Sequence, residues 1–198
     1  MTPYSDARIY GGIGSILVIL TFVPSIGWIL GIAGFVLILI AIHRISTGLG
    51  EREIFTNAIL SIVFAIVAVA LAAFFVVAIF LHYFGLNYPN GYPAMMEQYQ
   101  NLGAVNLAGL AVLILPALAV TWLLLILSGY FIHKSYGEIS RRLNIPLFET
   151  GALFYLIGSI TVIIMVGFLL LVVAQIIISI AFFSIPDQGI TRTTTGQK

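Results

Sequence analysis

Histidine is the residue type in this sequence that most readily ligates a metal, and two of the three histidines recur in similar text. His43 in IAIHRIS and His133 in YFIHKSYG each close a long apolar run and each precede a base. Two histidines from neighbouring helices can hold a haem iron between them. The plainer chemistry is the expectation: an imidazole beside a cation at a helix C-terminus suits lipid headgroups and the negative end of the helix dipole. His82, in FLHYFG, stands among aromatics and reads as part of an interfacial belt. GGIGS at residues 11–15 has the look of a phosphate loop but has neither a preceding strand nor the lysine of a Walker motif. No catalytic residue, metal site or cofactor is therefore assigned, and the chain is expected not to be an enzyme.

The remaining composition restricts the chemistry further. Of 198 residues, 61% are hydrophobic and 8% charged, which a soluble domain of this length cannot bury. The chain reads as an integral membrane protein. A formal net charge of +1 makes no case for nucleic acid, and the absence of cysteine removes disulfides and thiolate metal sites. Polar groups within the apolar runs, among them Asn57, Ser61, Ser128, Ser159 and Gln175, are the usual material of helix–helix hydrogen bonds. Asp, Glu, Lys and Arg are missing from the depths of those runs, which disfavours proton-coupled transport.

The elements that carry these residues are helices, because hydrocarbon cannot satisfy an open backbone. About five transmembrane helices are expected, at 5–23, 26–45, 54–84, 102–132 and 147–185, with a polar tail at 186–198. The first apolar block, 9–45, would be about 55 Å long as one helix. Pro24 offers the break and Ser25 a cap for the second helix. A hairpin and one strongly kinked helix both stay open, and the N-terminal stretch is expected to be a retained span and not a cleaved signal. Five spans with the N-terminus in the cytoplasm put Arg8, Arg44, Arg52, Lys134, Arg141 and Arg142 inside, leaving the C-terminus with Arg192 and Lys198 outside.

The two histidine motifs are each followed by a polar connection and then by IFTNAILSI or LFETGALFYLI. Pairing Phe55 with Phe148 and Ala58 with Gly151 suggests a parallel internal repeat in which spans two and three match spans four and five. Chance likeness between two isoleucine-rich helices is the rival explanation.

From GGIGSILVILTFVPSIGWILGIAGFVLILIAIHRIS through EIFTNAILSI the chain resembles the DUF996 family of small archaeal and bacterial membrane proteins of unknown function. Gly11, Gly12, Gly14, Pro24, Gly27, Arg44, Ile45, Ser46, Ile54, Phe55 and Asn57 carry the resemblance. It implies a multi-span helical protein and no activity.

Two surfaces are candidates for contact. His43, Arg44, His133, Lys134, Arg141 and Arg142 are placed to meet lipid headgroups or a partner at the cytoplasmic face. There Ile139 and Leu143 would lay a short interfacial helix on lipid. Outside, Tyr88, Tyr92, Met95, Met96 and Tyr99 would offer an adaptable docking surface. The expected role is a structural or accessory subunit of a membrane assembly, self-associating or bound to other subunits, or a lipid-organising protein. A small transporter or channel for an uncharged solute is the alternative, and a haem- or quinone-binding electron-transfer subunit comes third.

Overall fold

The computed structural model describes residues 3–84 and 107–186, all of it helix and short turns with no strand among them. Tyr88, Tyr92, Met95, Met96 and Tyr99 lie outside the described residues, as does the tail from 187 onward. Six α-helices follow one another: α1 Pro3–Ile19, α2 Gly27–Leu49, α3 Arg52–Phe84, α4 Leu107–Leu143, α5 Pro146–Thr161 and α6 Val166–Phe183. Five stretches among the described residues are long and apolar enough to cross a membrane: Gly27–Leu49, Arg52–Leu81, Ile114–Leu143, Pro146–Ile164 and Val166–Phe183. The expected number of spans holds, with a different membership.

The difference lies in the last apolar block. Residues 147–185 do not form one span. The chain turns through a 3₁₀ segment at Val162–Ile164 and a left-handed Met165, and α6 then runs back along α5. The length argument that divides 9–45 applies equally to this block, but no proline or glycine marks its turn. The first block is indeed a hairpin, turning through 3₁₀ residues Leu20–Phe22. Ser25 does not cap α2: its own backbone is left-handed (φ 72°), and no side chain caps that helix start.

The chain forms two compact units. One holds residues up to Val63 together with those from Ile126 on; the other is Phe64–Leu125. In the first unit α1 packs on α2 and α5 on α6, and α6 closes back antiparallel onto α1. Glycine permits these approaches. A Cβ on Gly11 would fall on the ring of Phe182, one on Gly14 would meet the Gly34 carbonyl oxygen, and one on Gly158 the Gly167 carbonyl oxygen. All six helices contribute to one apolar core at the end where α2 passes to α3 and α4 to α5. Ala7, Ile42, Ile45, Ile54, Ile139, Phe148, Ile178 and Phe182 are buried there. Phe148 and Phe182 meet edge to face with centroids 5.0 Å apart, and Tyr136 packs against both rings. Because Ala7 and Ile185 share this core, the start of α1 and the residues just after α6 lie together.

In the second unit Ala68 and Ala117 are buried, and a shallow groove of about 370 Å³ is lined by Leu71, Phe75, Val112, Pro116, Ala117 and Val120. Pro116 rides inside α4, whereas Pro24 sits in a turn, so the two prolines are not equivalent.

Around the two turns at the core end, burial follows a common pattern whose register is one residue away from the expected pairing. Buried positions of α2–α3 coincide with buried positions of α4–α5 when Ile45 is paired with Ile139, Ser46 with Ser140, Ile54 with Phe148 and Ala58 with Ala152. The pairing of Phe55 with Phe148 and Ala58 with Gly151 is therefore corrected, since one residue rotates a helical face by about 100°. The same shift brings Gly50 onto Asn144, and both are left-handed (φ 72° and 54°). Each ends its helix in the same way: the Glu51 amide donates to the Ser46 carbonyl and the Ile145 amide to the Ser140 carbonyl, both as the 6→1 bond of a Schellman turn. No heavy atom lies within 4 Å of a Cβ built on Gly50. Gly50→Ala should therefore cost about 1 kcal/mol through its backbone alone, while Asn144→Gly should be neutral or slightly stabilising. Unfolding in detergent micelles, followed by helical circular dichroism, measures both.

Candidate functional site

Every charged side chain among the described residues lies at the end of the first unit that holds the core. Asp6 and Arg8 are in the first turns of α1, Arg44 in the last two turns of α2, and Glu51, Arg52 and Glu53 at the start of α3. Lys134, Glu138, Arg141 and Arg142 are in the last turns of α4, and Glu149 is in the first turn of α5. Charge is costly in hydrocarbon, so such a concentration marks one membrane–water boundary.

An ion-pair chain ties the two connecting turns together. Glu138 accepts from Arg141 Nη2 on one oxygen and from Arg142 Nε, at 2.9 Å, on the other; Arg142 Nη2 in turn reaches Glu51 Oε1 on the α2–α3 turn. The i,i+3 and i,i+4 spacings of Glu138 to these arginines are legible in the sequence. Glu51 is not, because its partner comes from another helix. The pairs are half-exposed, so they orient the turns more than they stabilise them. A second link is buried: Ser135 donates to the Ile54 carbonyl at 2.8 Å, joining α4 to the start of α3.

The six expected headgroup contacts divide. Arg141 and Arg142 serve the ion-pair chain, while Arg44 and Lys134 are exposed without an ion pair among the described residues. His43 is exposed with its ring tilted against Phe55 of α3, centroids 4.7 Å apart. His133 is half-buried, and its Nδ1 is buried with no hydrogen-bond partner among the described residues. The repeat register pairs His43 with Gly137, so the symmetry that would have brought the histidines to equivalent places is absent. No group of three or more His, Cys, Asp or Glu suited to a metal occurs among the described residues. The stretch 133–143 is not a separate interfacial helix. It continues α4, and Ile139 and Leu143 point into the protein core, because Gly137 does not interrupt the helix.

Deeper in the first unit, hydroxyl groups gather between α3, α4 and α5. Ser61 Oγ and Ser128 Oγ share a hydrogen bond of 3.1 Å, and the Tyr155 side chain lies beside Ser128. Ser159 packs over Gly129 and returns its hydroxyl to the Tyr155 carbonyl. Ser61, Ser128 and Ser159 are recognisable in sequence as buried polar groups; Tyr155 is not, since a tyrosine near a helix centre looks like a belt or core residue. Ser15 is fully buried on α1 with no partner for its hydroxyl among the described residues, although its carbonyl lies 3.5 Å from Gln175 Nε2. Removing the shared partner in Ser128→Ala should cost about 1 kcal/mol, within the range for hydrogen bonds between membrane helices. Ser61→Ala in that background should then cost much less, a coupling that a double-mutant cycle in detergent would read.

The family model described as "Protein of unknown function (DUF996)" matches residues 30–176. An uncharacterized protein of Methanocaldococcus jannaschii, MJ1644, is 33% identical over 184 residues, covering 92% of this chain and 93% of its own length. No solved structure matches.

Proposed function

The chain belongs to the DUF996 family, whose description names no activity, and from its own geometry we propose a non-enzymatic membrane scaffold that gathers anionic lipid at its charged end. The observation that carries this reading is the confinement of charge, among the described residues, to one boundary. Six bases lie there: Arg142 links the two turns between Glu138 and Glu51, Arg141 pairs with Glu138, and Arg44 and Lys134 are exposed at helix flanks. Exposed bases at this level attract anionic headgroups, each by on the order of 1 kcal/mol. The core behind them supports a scaffold over a conduit: Ile42, Ile54, Ile139, Phe148 and Phe182, all fully buried, fill the middle of the first unit at that end.

By the excess of lysine and arginine this end faces the cytoplasm of the cell membrane. Both the start of α1 and Ile185 then lie inside, in place of the expected external C-terminus. The chain has no native cysteine, so single substitutions report cleanly. Thr47→Cys and Ser184→Cys should both resist an impermeant maleimide in intact cells and react after permeabilisation. Labelling of Ser184→Cys from outside would overturn the orientation. Lipid carried through purification should be enriched in phosphatidylglycerol over phosphatidylcholine. That enrichment should fall with added salt and by a fewfold, about fivefold at most, for each of Arg44→Gln, Arg52→Gln and Lys134→Gln; unchanged enrichment in the triple variant would refute the scaffold's lipid preference.

One observation favours a second reading. The Ser61–Ser128–Tyr155 cluster is a row of neutral hydroxyls inside the bundle, and such a row suits passage of an uncharged polar solute. Flux of glycerol or urea into vesicles holding only this chain, abolished by Ser128→Val, would establish that role over the scaffold.

A further inference from the structure

Between α2 and α3, near the charged boundary, an open groove of about 510 Å³ is lined by Leu39, Ile40, His43, Arg44, Thr47 and Phe55. Its chemistry changes along its length. Leu39 and Ile40 lie deeper along α2, the His43 ring and Phe55 form a wall, and Arg44 and Thr47 lie toward the helix end. The Thr47 hydroxyl already donates to the His43 carbonyl at 2.9 Å, so its proton is committed and Arg44 is the strong donor at the mouth. An apolar floor with one guanidinium at the water-facing end complements an amphiphile whose head is anionic.

The internal repeat supplies a control for whether the fold itself demands these residues. The register that matches buried positions also pairs Leu39 with His133, Ile40 with Lys134, Arg44 with Glu138 and Phe55 with Glu149. The core is apolar in both halves and the turns are alike, but the groove's chemistry exists in one half alone. In the other half the position of Arg44 holds a carboxylate already engaged by two arginines. A turn of the same geometry thus forms without these residue types at the corresponding positions.

We propose that this groove is a discrete site for one anionic phospholipid, its phosphate on the Arg44 guanidinium and one acyl chain along Leu39, Ile40 and Phe55. The proposal rests on the scaffold reading but is narrower: general attraction makes all exposed bases equivalent, whereas a site singles out Arg44.

The test is native mass spectrometry of the full chain, released from detergent after extensive delipidation and titrated with phosphatidylglycerol, phosphatidylcholine or inorganic phosphate. One phosphatidylglycerol should remain bound to the wild type, and neither phosphatidylcholine nor phosphate should replace it. Arg44→Gln should weaken its retention by about tenfold, and Leu39→Trp, which fills the groove while keeping the charge, by a similar factor. Arg52→Gln and Lys134→Gln should leave it within about threefold, and Arg44→Lys should retain most of it. Matching helical circular dichroism melts for the variants exclude misfolding as the cause. Equal loss in all three charge variants would overturn the site while leaving the general lipid preference standing. Displacement by inorganic phosphate would assign the groove to a free anion and also overturn it. No preference for phosphatidylglycerol at any position would remove the scaffold reading and the site together.

Discussion

Helices surrounded by lipid gain nothing from hiding apolar surface against each other, since the tails they displace are equally apolar. What holds this bundle together is steric fit, and the fit depends on positions with no side chain. The ring of Phe182 occupies the space where Gly11 would carry a Cβ; Phe183 does the same at Gly12. Gly14 meets Gly34 and Gly158 meets Gly167 across bare backbone. Through these approaches α6 reaches α1, and Phe182 comes to rest against Phe148 and Tyr136.

The two turns at that end show one solution used twice. In each, a left-handed residue ends the helix, a 6→1 backbone bond satisfies a carbonyl near its last turn, and an aliphatic or aromatic side chain four residues on enters the core. Glycine performs the backbone task at no steric cost, and asparagine tolerates it. The surfaces are free to diverge because the turn makes no demand on them. One half carries Arg44 beside an apolar groove; the other carries Glu138 gripping two arginines. Divergence on a shared frame is where a lipid preference would reside, if function is carried by the exposed boundary and not by the interior.

The interior is more polar than the composition suggests, and nearly all of that polarity is serine. Serine is small enough to sit at a close helix contact and can return its proton to its own helix, as Ser159 does, or spend it across the interface, as Ser135 does. Satisfied hydroxyls of this kind hold helices in rotational register without charge. That they cluster between α3, α4 and α5 near Gly129 follows from the same rule that governs the glycines: polar contacts form where backbones come close.

The sequence alone determined the solvent, the secondary structure and the exclusion of charge from the depths of the apolar runs. Hydrocarbon compatibility depends on composition and run length, and helix is the form in which a single segment satisfies its own backbone. The hairpin at Pro24 was legible because proline denies the helix a donor. Tertiary structure decided the rest. The turn at Met165 has no local signature, since a methionine accepts a left-handed backbone there only because Gly158 and Gly167 allow α5 and α6 to meet. The repeat's register depended on which face was buried, and Ile139 and Leu143 could be assigned to core or to lipid only once α2 and α5 were in place. The same holds for Glu51 with Arg142 and for Tyr155 with Ser128. In a chain that is apolar nearly all round, periodicity cannot separate a lipid-facing side from a protein-facing one, and only the approach of another backbone does.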